Sequence, residues 1–154
     1  MMSRVLAILL VAMTVVSPAL AQTATDELEA ARTQIQADRK AIVSKLMQMT
    51  EAESNAFWPV YNTYREDIRK IDDKLVAVAE NYFSNADSLT DKQAQSLLSD
   101  WMKLRADKLN LRKSYVKKFS KTMATTKVVR FYQIENKMDA VIDYEMAASI
   151  PLVQ

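Results

Sequence analysis

Residues 50–82, TEAESNAFWPVYNTYREDIRKIDDKLVAVAENY, decide the fold. Thr50 is followed three residues later by Glu53, a capping box in which the hydroxyl accepts from the N3 amide and the carboxylate returns to the N-cap amide. From that start, apolar residues fall at Phe57, Tyr61, Tyr64, Ile68, Ile71, Leu75, Val78 and Tyr82, in alternating steps of four and three. This is the narrow seam of a helix packed in coiled-coil fashion. Pro59 lies inside the pattern, where it removes a hydrogen bond to Asn55 and should bend the axis.

The same device returns further along. Thr90 is followed by Gln93, and a second seam runs through Leu97, Trp101, Leu104, Lys108, Leu111 and Tyr115. These six positions lie 40 residues after Phe57 to Leu75, so two helices enter on the same cap with seams in phase, a weak internal repeat. Flanking helices are expected from Asp26 to about Met47, with Leu28, Ile35, Ile42 and Leu46, and from Thr126 to about Ser149, with Phe131, Ile134, Met138 and Val141 or Ile142. Breaks at Gln48-Met49, Ser84 to Ser88 and about Thr122 to Thr126 separate them. The reading is all-α with about four helices. The two central ones are long, about 30 residues or roughly 45 Å each, and bent.

Composition agrees. Glycine is absent, and only Pro59 and Pro151 interrupt the chain after residue 21. Without glycine, hairpin turns of the primed types and phosphate-cradling loops are not expected. The start of the chain reads as a signal peptide: Arg4, an apolar run from Val5 to Val16, a break at Ser17-Pro18, then Ala19-Leu20-Ala21. Cleavage after Ala21 would leave residues 22–154 as a single all-helical domain in the periplasm. The run of about 12 apolar residues is short of the roughly 20 that span a bilayer. With no cysteine there is neither a disulfide nor a lipidated cysteine.

Few chemistries fit the side chains. The chain has no His and no Cys, so a catalytic triad, a thiolate nucleophile and an ordinary zinc or copper site are not expected. Glu66-Asp67 and Asp72-Asp73 interleave with Arg65, Arg69, Lys70 and Lys74 at helical spacing, which reads as surface ion pairing. Met47, Met49, Met102, Met123, Met138 and Met146 are scattered over helices and turns and read as core filling in place of thioether ligands. No catalytic residue, no metal and no cofactor is expected, and the chain is not read as an enzyme.

Charge carries more. Residues 22–102 balance to −5, residues 103–130 to +9 and residues 131–154 to −3. Arg105, Lys108, Arg112, Lys113, Lys117, Lys118 and Lys121 occupy more than one helix face, and ten like charges against Asp107 alone call for acidic compensation. The acidic helices of the same chain, a dimer partner, an acidic client protein or anionic lipid head groups could supply it. Nucleic acid would suit the charge but not an exported chain. Rings at Phe57-Trp58 and Tyr82-Phe83 lie about 100° apart on their helices, so some should be left on an amphipathic surface.

Leu89-Thr90-Asp91-Lys92-Gln93 matches the LTxxQ motif of the Spy/CpxP-like periplasmic proteins, and Met49-Thr50-Glu51-Ala52-Glu53 is similar to a degenerate first copy. The stretch Met49 to Tyr64 and the stretch Arg130 to Lys137 resemble a subgroup of small exported helical proteins described as sensors of envelope stress or of extracytoplasmic sigma factors. The resemblance implies a four-helix protein, often a homodimer forming a curved, basic and partly apolar cradle. It implies activity without ATP, either as a chaperone for unfolded clients or as an adaptor for a membrane-bound stress sensor. Metal-sensing relatives depend largely on His, which this chain lacks. The leading expectation is a periplasmic helical binding protein, with Arg105 to Lys121 holding protein partners. The alternatives are a sensor or regulatory partner of a stress or metal response, and a structural envelope protein without a client.

Overall fold

The computed structural model describes residues 37–149. The chain divides into two units, residues 1–39 and residues 40–154. Of the first, only 37–39 are described, and they are helical. The expected signal peptide and the expected start of the first helix, with Leu28 and Ile35, lie outside the described residues.

The second unit is built of helices joined by short turns. Residues 40–47 belong to the first helix, α1. Helix α2 runs Glu51–Asn85, α3 runs Asp91–Phe119 and α4 runs Thr125–Ser149. A single 3-10 turn, Ala86–Ser88, links α2 to α3. Among the described residues there is no strand. Among the described residues the architecture is all-α with four helices.

Both capping boxes form. The Thr50 hydroxyl accepts from the Glu53 amide at 3.2 Å while Glu53 accepts from the Thr50 amide at 2.8 Å. At α3 the Thr90 amide donates to Gln93 at 2.9 Å, and the Gln93 amide donates back to the Thr90 hydroxyl at 3.4 Å. Each box satisfies amides that a helix start leaves without intrahelical partners. Helix α2 is continuous through Pro59, whose carbonyl accepts the Thr63 hydroxyl at 3.1 Å. Between α1 and α2 the backbone turns on Gln48, which takes a φ of 50°. In a chain without glycine, a residue with a Cβ must occupy this left-handed conformation, at a cost of about 1–2 kcal/mol.

Helices α2 and α3 run antiparallel: Tyr115 on α3 donates to Asp67 on α2 at 2.7 Å, and Lys108, two turns earlier, donates to Asp72 at 2.7 Å. The fully developed core sits at one end of this hairpin, where α2 begins and α3 finishes. There Phe57, Tyr61, Tyr64 and Ile68 of α2 meet Tyr115 and Phe119 of α3, Phe131 and Ile134 of α4, and Val43 and Met47 of α1. Phe119 and Phe131 have ring centroids 4.5 Å apart, and Phe57 lies 5.4 Å from the first and 5.3 Å from the second. Such tilted and edge-on ring pairs add roughly 0.5–1.5 kcal/mol each to the burial of their area. Toward the other end of the hairpin, burial thins to Leu75 and Leu104.

The antiparallel arrangement explains how the 40-residue repeat behaves. Its first copy is buried at the start of α2 and its second copy toward the end of α3, so equivalent positions meet different surroundings. Trp101, the partner of buried Tyr61 in the repeat, is exposed.

Candidate functional site

Seven basic side chains of α3 and the turn after it were expected to form one surface; the structure divides them. Arg105, Lys108 and Arg112 face the neighbouring helices. Arg105 pairs with Asp143 on α4 at 3.1 Å, Lys108 with Asp72 on α2 at 2.7 Å, and Arg112 with Asp139 on α4. Acidic helices of the same chain therefore neutralise the inner part of the basic run. Lys108, which interrupts the apolar seam of α3, is held there by Asp72 and is mostly buried along its stem.

Lys113, Lys117, Lys118 and Lys121 are exposed. Among the described residues, none of the four forms an ion pair. Lys118 lies over the Tyr115 ring, 3.8 Å from its centroid. Lys103, just before the run, is taken up by Asp107 at 2.8 Å, a contact that raises the pKa of its ammonium.

The sequence reading missed the residues that do the neutralising. Glu135, Asp139 and Asp143 repeat every four residues, so they share one face of α4. Glu135 is 1% exposed and pairs with buried Arg65 of α2 at 3.2 Å. Because these carboxylates hold the inner face, Val141 and Ile142, expected in the seam, are turned out and are 63% and 40% exposed. The signal was present as the spacing of four between acids, but the balance of charge alone did not reveal it.

Beside the exposed lysines, α3 and α4 leave a shallow groove of about 560 Å³. Leu109 and Val116 line it from α3, and Val128, Val129 and Tyr132 from α4. Leu109 and Val116 are seven residues apart, one step of a second apolar stripe that begins at exposed Met102 and runs alongside the buried seam. Tyr132 is fixed by donating its hydroxyl to the Arg112 carbonyl at 2.9 Å, and burial pushes its pKa up to about 12. The phenol therefore stays neutral and serves as an apolar wall. No carboxylate lines the groove.

The residues of the two Thr-led motifs act as caps. Thr50, Glu53, Thr90 and Gln93 form the two boxes, and Leu89 is half-buried just before the second. Glu53 has a further partner: Lys127 of α4 reaches it and also donates to the Gln48 carbonyl at 3.3 Å. The hydrogen bond from Lys127, followed by that from the Thr50 amide, holds the Glu53 carboxyl below its usual range. Glu53 thus ties the starts of α2 and α4 together.

Among the described residues, no group of three His, Cys, Asp or Glu side chains could hold a metal ion, and no helix is long and apolar enough to cross a membrane. Among the described residues, fold and surface together define four helices, one of them basic and neutralised on its inner face only, with a partly exposed, lysine-flanked apolar groove. No family model matches the chain, and neither the curated proteins nor the solved structures contain a match.

Proposed function

We propose that this chain is an exported, ATP-independent binding protein of the periplasm that holds acidic or unfolded segments of other proteins on the outer face of α3. One observation carries the reading: Lys113, Lys117 and Lys121 are exposed without an ion pair among the described residues, beside Lys118, which is exposed near Asp67, and exposed Leu109 and Val116. Free cations steer acidic chains toward the surface, and the apolar side chains give weak, adaptable contact once they arrive. The signal-peptide-like start and the resemblance to Spy/CpxP-like proteins support the address and the class.

The test is suppression of aggregation of an unfolded client, followed by light scattering. Replacing Lys113, Lys117, Lys118 and Lys121 by Gln should remove most of the suppression while leaving the helical spectrum unchanged. In the wild type, raising salt from 0.05 to 0.5 M should weaken suppression several-fold, because exposed charges are screened over about 4 Å at the higher concentration. Unchanged suppression by the four-fold variant rejects the proposed surface.

A further inference from the structure

Resting on that reading, we infer that the groove between α3 and α4 takes a single acidic amphipathic helix, laid along α3 with its apolar stripe on Leu109, Val116 and Val129.

Shape comes first. From Leu109 to Ser120 the α3 wall spans eleven residue steps, or roughly 16 Å, which is three turns of a docked helix. Its apolar contacts, Leu109 and Val116 on one side and Val128, Val129 and Tyr132 on the other, form two rows facing a common trough. Leu109 and Val129 are each more than half exposed, and Val116 is 41% exposed. A helix with apolar residues at i, i+4, i+7 and i+11 would fill this trough. An extended segment fits poorly, since its N–H and C=O groups would be desolvated against a mainly apolar floor with no strand edge to pair them.

Charge selects the partner. Lys113 lines the groove from α3 and Lys117 is exposed one turn further on, whereas α4 contributes the uncharged Thr125, Gln133 and Asn136. The α4 carboxylates that could have neutralised this rim, Glu135, Asp139 and Asp143, are engaged by Arg65, Arg112 and Arg105. The groove is thus apolar along its floor, cationic on its α3 bank and without a carboxylate. Glutamates flanking the stripe of an incoming helix would meet Lys113 on the α3 side and amide side chains on the α4 side. A flat lipid surface would meet the banks but leave the trough unfilled.

The experiment uses the full chain and a labelled synthetic peptide of fifteen residues, with Leu on the four-three-four stripe and Glu at the flanking positions. Fluorescence anisotropy should show saturable one-to-one binding. A shuffled peptide of the same composition, and one with Lys for Glu, should bind at least about tenfold more weakly. Val116→Asp and Val129→Asp each place a charge on the floor and should weaken binding at least about tenfold. Lys113→Glu and Lys117→Glu act from the α3 bank and should do the same without touching any packed side chain. Unchanged circular dichroism controls for folding.

Equal binding of the shuffled peptide, or indifference to all four substitutions, overturns the inference. Sedimentation showing a chain dimer that Val116→Asp dissociates, with no peptide binding, overturns it in favour of a second copy. Binding to phosphatidylglycerol vesicles without peptide binding overturns it in favour of lipid. Client suppression is measured on the same samples. Suppression without peptide binding rejects the groove and leaves the broader reading standing, whereas loss of suppression in the wild type rejects that reading itself.

Discussion

Glu135 shows what one side chain can cost this fold. It is buried against Arg65, and two opposite charges out of water are stable only while both are present. Glu135→Ala should lose about 3–5 kcal/mol in urea denaturation, because it removes one member of a buried charge pair. Replacing both, Arg65→Met with Glu135→Leu, should recover most of that loss. If the double variant is no better than the single, the pair does more than neutralise itself. Glu53 makes a different prediction. Its folded-state pKa is depressed, chiefly by Lys127, so its contribution is present above the ordinary carboxylate value near 4.5 and is lost as pH falls through the lower folded value. Thermal midpoints should therefore drop on acidification below about pH 4.5, and Glu53→Gln should flatten that part of the profile. A profile of unchanged slope would mean that the Lys127 contact contributes nothing in solution.

At the level of helices, the two capping boxes are alike in chemistry and unlike in setting. Thr50 opens the helix that carries the aromatic core and shares Glu53 with Lys127, whereas Thr90 opens α3 at the end where burial thins. Loss of either cap should cost about 0.5–2 kcal/mol, and we expect Thr50→Ala at the upper end and Thr90→Ala at the lower. Equal losses measured by denaturant midpoint would show that the cross-helix ion pair adds nothing to the box. These elements were legible from sequence because each depends on neighbours three and four residues away. The seam of α2 was readable for the same reason: Phe57, Tyr61, Tyr64 and Ile68 all proved buried. On α4 Phe131 and Ile134 were likewise buried as expected, but the later part of its inner face was not legible. There Glu135 and Asp139 displace Val141 and Ile142 from the interior, a choice settled by Arg65 and Arg112 on other helices and invisible to periodicity within α4.

Taken as a whole, the chain separates its positive charge into two uses. Arg105, Lys108 and Arg112 join helices, and the lysines from 113 to 121 face outward. The strong basic run was plain in the sequence, but its division was not, since it depends on which residues of α2 and α4 stand opposite. The groove was not read from the sequence, because apolar residues spaced by seven, Met102, Leu109 and Val116, do not by themselves say what stands opposite them. Placement of the core at one end of the hairpin has a further consequence, in the time domain. Backbone amides should exchange with deuterium along a gradient: slowest in 57–68 and 115–134, and at least about tenfold faster in 76–100, where few apolar side chains oppose local opening. A flat profile would mean that the hairpin opens as one unit. A graded one would mean that the tip of α2 and α3 melts and reforms many times for each unfolding of the aromatic end.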